Sequence, residues 1–173
     1  MQTIIISDVH IGSEHFLVDL FLRFLDTLPP QATLILNGDT VDRWPKRENE
    51  PKHRMALERL RAESFKRSVI WVEGNHDDSY EIQGEHRITF TPSHHIGNRL
   101  YVAHGYCFDR ISRISRPFVW LFRLMHLTRI WLGAESIHVA WFAKRFKRLY
   151  GFLRKDVATN AVRFAKENNY AAV

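Results

Sequence analysis

Four short polar strings hold the residues of this chain that could do chemistry. They are Asp8-Val9-His10, Gly38-Asp39-Thr40-Val41-Asp42, Gly74-Asn75-His76-Asp77 and His104-Gly105. Together they offer carboxylate, imidazole and amide donors, a set suited to divalent cations of hard or borderline character. Two such cations holding a phosphate ester need several ligands each, one shared ligand, and open positions for water and substrate. Asp39, set at a turn by Gly38, is the natural shared carboxylate. Asp8 and His10 would project to the same side of an extended segment and chelate one ion. The Asn75 amide oxygen and the His104 imidazole would serve the other. A water between the ions would be acidified by both and attack phosphorus in line. His76 could then protonate the departing oxygen, with Asp77 raising its basicity and fixing its orientation. Each string alone is common: Asp-x-His triplets and Gly-Asp turns recur in ordinary loops, and Asp42 could simply cap a turn or pair with a cation. Their order along the chain gives them weight.

Each string follows an apolar run: Thr3-Ile4-Ile5-Ile6, Thr33-Leu34-Ile35-Leu36, Val69-Ile70-Trp71-Val72 and Leu100-Tyr101-Val102-Ala103. Continuous apolar runs of this length are expected of strands buried on both faces. Between the first two, Phe16, Leu17, Leu20, Phe21, Phe24, Leu25 and Leu28 recur at helical spacing, and Pro29-Pro30 closes the helix. A loop from Arg43 to Lys52 and a charged helix to about Arg67 precede the third run. Alternation around Glu81–Phe90 and the run 99–103 predict further strands. Strand, helix, strand, helix, strand predicts an α/β layered fold, with ligand groups at the C-terminal ends of the strands.

From Asp109 onward the pattern is helical. Pro117–Leu132 is almost wholly apolar apart from Arg123, His126 and Arg129, and a second helix is expected over Ser136–Leu153, with a third to about Asn168. Residues 110–168 are expected to be a basic helical insertion within one domain, 1–173. Charge divides in the same place: residues 1–109 carry a net −4 and residues 110–173 a net +10. That division suggests cation binding in the first part and an anionic partner for the second. A single cysteine, Cys107, excludes an internal disulfide framework. With neither a cationic apolar leader nor ~20 uninterrupted apolar residues, the expected location is cytoplasmic, compatible with peripheral contact on the inner membrane face.

In order and spacing, the four strings over residues 7–105 resemble the calcineurin-like metallophosphoesterases, whose blocks read Asp-x-His, Gly-Asp-x-x-Asp, Gly-Asn-His-Asp/Glu, a His, and finally Gly-His-x-His. The resemblance implies layered metallophosphoesterase-type β-sheets flanked by helices. It implies two divalent ions, Mn²⁺ first with Fe²⁺ or Zn²⁺ as alternatives. Asp8 and His10 would bind the first ion, Asp39 would bridge, and Asn75 and His104 would bind the second. His76 would face the substrate, with Asp42 and Asp77 supporting from behind. Ser7-Asp8-Val9-His10-Ile11-Gly12, His104-Gly105-x-x-Phe108-Asp109 and the long basic insertion are similar to one bacterial branch, the UDP-2,3-diacylglucosamine pyrophosphatases of lipid A synthesis and their relatives. Studied members of that branch carry Arg where this chain has His76. No Gly-His-x-His block follows Tyr170–Val173, so the expectation is a chain shortened at its C-terminus, each ion one ligand short. His94-His95, His126 and His138 are the in-chain candidates to substitute.

The insertion's apolar side chains, among them Phe118, Trp120, Leu121, Phe122, Trp131 and Trp141, could line an acyl-chain groove or pack on one another as a helical lid. Arg113, Arg116 and Arg123 could meet substrate phosphates. The expected activity is hydrolysis of a phosphoester or diphosphate bond in a small phosphorylated or nucleotide-linked lipid. The two rivals are a non-catalytic binding module on the same fold and a nuclease that uses the +10 half as a backbone-binding face. The apolar insertion favours lipid over nucleic acid.

Overall fold

The computed structural model describes residues 2–42, 50–109, 124, 128 and 147–173. Four strands, β1 (Thr3–Ile6), β2 (Thr33–Asn37), β3 (Val69–Val72) and β4 (Ile88–Thr91), form a parallel sheet in the order β1-β2-β3-β4. Helix α1 (Val18–Thr27) joins β1 to β2, and α2 (Pro51–Lys66) joins β2 to β3. Pro51 opens α2, where its missing N–H costs nothing. A loop without a helix joins β3 to β4. Two shorter strands, β5 (His94–Ile96) and β6 (Leu100–Val102), pair antiparallel. Among the described residues, a single bridge from Leu100 to Ala172 is the pairing found for the strand expected at Tyr170–Val173. The alternation expected over Glu81–Phe90 becomes a strand only at its end. Its earlier part is irregular loop.

Strand alternation sorts the sheet's side chains into two apolar layers. On one face Leu34, Leu36, Val69, Trp71 and Ile88 pack under Phe21 and Leu25 of α1 and Ala56, Leu57 and Leu60 of α2. On the other, Ile35, Ile70 and Val72 meet Val102, with Ile96 and Leu100 beside them. Burying Trp71 completely contributes about 2–3 kcal/mol. Two-sided burial holds for β2 and β3 and fails for β1. It is an edge strand, and Ile5, on the face that β6 covers elsewhere, is 40% exposed.

Glu63, 1% exposed on α2, gathers the cationic groups of the helix end, Arg67 at 2.7 Å, Arg59 at 3.0 Å and Lys66 at 3.0 Å. Burial pushes its carboxyl up, and the three cationic hydrogen bonds outweigh burial, leaving it below the ordinary glutamate value. A depressed folded-state pKa stabilises above the unfolded value near 4.5, and that stability fades as pH falls below it. Glu63→Gln should cost about 3 kcal/mol, because it leaves the buried Arg67 short of a counter-charge. The difference from wild type should shrink in urea melts run below pH 4.5.

The chain falls into two compact units, residues 1–104 with 172–173, and residues 105–171. In the second, a 3₁₀ turn (Gly105–Phe108) packs on α3, described over Lys147–Glu167. The Asn160 side chain donates to the Phe108 carbonyl at 3.0 Å, and Phe164 lies against both Phe108 and Tyr170. The helix runs unbroken through the point where the sequence suggested a join near Leu153. One Gly at 151 costs only about 1 kcal/mol, too little to end it. The apolar stretch of the insertion lies almost wholly outside the described residues.

Candidate metal centre

All the strand ends that carry polar strings meet around Asp39, whose side chain is 6% exposed. Its Oδ1 accepts the His76 backbone N–H at 2.9 Å. Its Oδ2 stands 3.6 Å from His104 Nε2 and 3.9 Å from His76 Nε2. Donor atoms of Asp8, His10 and Asp39 lie within 4.8 Å of one another, as do those of His10, Asp42 and His76. The Asp8, His10 and Asp39 group, open enough to leave Asp8 58% exposed, has the carboxylate and imidazole donors that suit a divalent cation with open positions.

The backbone brings Asp8 and His10 together by an unexpected route. An extended segment would place both on one side, but Asp8, His10 and Asp39 are left-handed, at φ of 54°, 53° and 51°. Parallel hydrogen bonds hold this geometry: Asp8 N donates to Gly38 O, His10 N to Asp39 O and Ile11 N to Thr40 O, at 2.8–3.2 Å. The two loops thus zip onto each other past the ends of β1 and β2. Left-handed non-glycine residues each cost of order 1 kcal/mol and gather at functional sites. His10 Nε2 finishes 3.9 Å from Asp8 Oδ1.

Two glycines set the approach of neighbouring loops. Gly38, at φ 77°, lies so close under His104 that a Cβ would sit 2.5 Å from the ring. A Cβ on Gly74 would collide with the Asp39 amide and carboxylate. Exposed Asn75 sits between Gly74 and His76, the two residues that touch Asp39.

Asp42 holds both the His10 and the His76 rings. Its Oδ1 lies 3.0 Å from His10 Nδ1 and 2.6 Å from His76 Nδ1, and the two rings meet edge to face at 5.1 Å. The hydrogen bond to Asp42 raises each imidazole pKa against the opposing effect of burial. Burial pushes the Asp42 carboxyl up, and the two imidazole bonds outweigh it, holding it well below the usual carboxylate range. With Nδ1 of each ring tied to Asp42, Nε2 of each turns toward Asp39 or Asp8. Asp42→Asn should therefore lower metal affinity or turnover about 10–100-fold with little change in melting temperature.

His76 thus takes its orientation from Asp42, where the sequence pointed to its neighbour Asp77. Asp77 is 1% exposed and faces inward. It accepts from Thr40 N at 2.7 Å, from Trp71 Nε1 at 3.0 Å and from Gly74 N at 2.6 Å. Its carboxylate ties the β2 loop, the β3 loop and the core tryptophan to one point. His94 and His95 lie in β5, where His95 packs edge-on against Tyr101. Arg113, Arg116, Arg123, His126, His138 and the apolar groove residues from Phe118 to Trp141 lie outside the described residues, except Leu124, which is 43% exposed.

The sequence matches the calcineurin-like phosphoesterase family over residues 1–170. No curated protein matches it. Among solved structures, a nuclease from Pseudomonas putida is similar at 23% identity and a TM-score of 0.41, over 51% of this chain and 46% of that one. The chain thus aligns with less than half the length of that protein.

Proposed function

The chain belongs to the calcineurin-like phosphoesterase family, and on that premise we propose that it hydrolyses a phosphate ester or diphosphate bond, using two divalent cations held by Asp8, His10, Asp39, Asn75 and His104. The observation that carries this reading is the convergence on Asp39, whose two oxygens face different partners: His76 N on one side, His104 Nε2 on the other. A carboxylate so placed can serve two ions at once. Bound there, the cations would supply Lewis acidity toward water and phosphate.

The chain's own groups do the rest. Asp42 holds the Nδ1 atoms of His10 and His76, so Nε2 of His10 is free to act as a ligand and Nε2 of His76 to deliver a proton. The hydrogen bond to Asp42 raises the His76 pKa, favouring the protonated ring that can donate to the departing oxygen. Asp77 keeps the two loops in register from beneath.

For the substrate, the motif resemblance supports a nucleotide-linked lipid, and Mn²⁺ is the proposed native metal. His76, where that branch carries Arg, favours a more general phosphoesterase chemistry. The net +10 of residues 110–173 suits any polyphosphorylated or anionic substrate, and it is what a nuclease reading would rest on. Among the described residues no helix is long and apolar enough to cross a membrane.

The test is hydrolysis of bis(p-nitrophenyl) phosphate in Mn²⁺ and in EDTA, followed by competition with a UDP-linked diacyl sugar and a single-stranded oligonucleotide. Mn²⁺-dependent turnover inhibited by the lipid at micromolar concentration is expected. Turnover unaffected by EDTA, or none with any metal, would overturn the proposal.

A further inference from the structure

Asn37 is an amide among aliphatic side chains. It ends β2 beside Val72, on the face where Ile35, Ile70, Val72 and Val102 form the smaller apolar layer. Its Nδ2 reaches the Ala103 carbonyl at 3.5 Å, at the long end of the hydrogen-bond range. Its Oδ1 is buried without a hydrogen-bond partner among the described residues. The amide cannot be turned the other way to relieve this, because its oxygen would then face the Ala103 carbonyl. A residue kept for packing alone would be valine or leucine, which leave no polar atom stranded in an apolar layer. The amide's one tie is to the carbonyl that immediately precedes His104.

That tie joins the two halves of the centre. Asn37 comes two residues before Asp39, and Ala103 one residue before His104. Gly38, between Asn37 and Asp39, makes the bare floor on which the His104 ring lies. His104 Nε2 then stands 3.6 Å from Asp39 Oδ2. Among the described residues, Asn37 is the side chain that links the end of β2 to the end of β6.

We propose that Asn37 is a positioning residue for His104: it clamps the peptide before the ring, so that the imidazole rests on Gly38 and faces Asp39, and thereby sets the affinity of the second cation position. The inference rests on the two-cation reading above and goes beyond it by assigning a residue that belongs to none of the four polar strings' ligands.

The test is Mn²⁺ titration of the 173-residue chain, followed by calorimetry and by the electron paramagnetic resonance of the spin-coupled manganese pair. Asn37→Leu, similar in size and apolar, should bind the first ion as wild type does and the second about 10–100-fold more weakly. The pair signal should vanish at concentrations that saturate wild type. Its metal-free melting temperature should be unchanged or higher, since the stranded oxygen is gone. Asn37→Asp cannot donate to the Ala103 carbonyl and should show the same selective loss, so it carries the test alone if the leucine variant does not fold. Wild-type affinity for both ions in these variants would overturn the proposal. So would a loss of both affinities in step with the metal-free melting temperature, the signature of a purely structural role. If wild type binds no pair of ions, the two-cation reading falls and this inference with it. A normal wild-type pair alongside unaltered variants sinks this inference only.

Discussion

Asp39→Asn should leave a folded protein that no longer binds a pair of divalent cations and hydrolyses phosphodiesters more than ~100-fold slower. Groups that merely support a metal ligand typically cost about 10–100-fold when removed, and a ligand shared by two ions must cost more. Asparagine keeps the shape, and its carbonyl can still accept the His76 N–H that Asp39 Oδ1 accepts at 2.9 Å. It lacks the negative charge, and its amide nitrogen would present hydrogens toward His104, 3.6 Å away, where a cation needs a lone pair. The checks are Mn²⁺ stoichiometry by calorimetry, steady-state turnover and a thermal melt of the metal-free protein. Near-normal turnover in Asp39→Asn would remove the basis for placing catalysis at this centre.

The second large effect is on stability. Asp77 accepts three hydrogen bonds from buried donors and offers none. An asparagine there must turn its NH₂ either toward Gly74 N or toward Thr40 N and Trp71 Nε1, so donor faces donor in both orientations. Leaving buried donors unpaired costs about 1–3 kcal/mol each, more where a charged acceptor is lost. Asp77→Asn should therefore destabilise the fold by about 3 kcal/mol, a drop of about 6–12 °C in Tm for a domain of this size. Turnover should fall with the melt, because the loops bearing Asp39 and His76 share this anchor. Asp42→Asn provides the contrast: activity lost, melting retained. A stable, inactive Asp77→Asn would show that the carboxylate works on the chemistry directly.

The sheet was legible because β2 and β3 are covered on both faces, and such strands read as unbroken apolar runs that stop where the polar loops begin. The same rule overstated β1, since nothing in Thr3–Ile6 distinguishes an edge strand from a central one. β5 went unseen: His94-His95-Ile96 shows no apolar alternation, and it is a strand because β6 pairs with it. The convergence of Asp8, His10, Asp39 and the Gly74–Asp77 loop follows from parallel topology, which carries the C-terminal ends of β1, β2 and β3 to one border of the sheet, whereas His104 arrives from β6 in the separate antiparallel pair. Which carboxylate serves His76 does not follow. Asp77 is adjacent in sequence, but the loop turns it inward to Trp71, while Asp42 arrives from 34 residues away. Neighbours on a tight turn often point apart, and only the folded backbone decides. The clamp at Asn37 was hidden for the same reason, since its partner carbonyl lies 66 residues on.

The left-handed backbone at Asp8, His10 and Asp39 bears on how such a protein can drift. Glycine is the residue that conformation favours, and it is also the residue with nothing to offer a cation. A change to glycine at any of the three therefore relaxes the local backbone and removes a cation ligand together. A descendant freed from selection for turnover would find it easiest to leave through those three positions, and would come out the sturdier molecule.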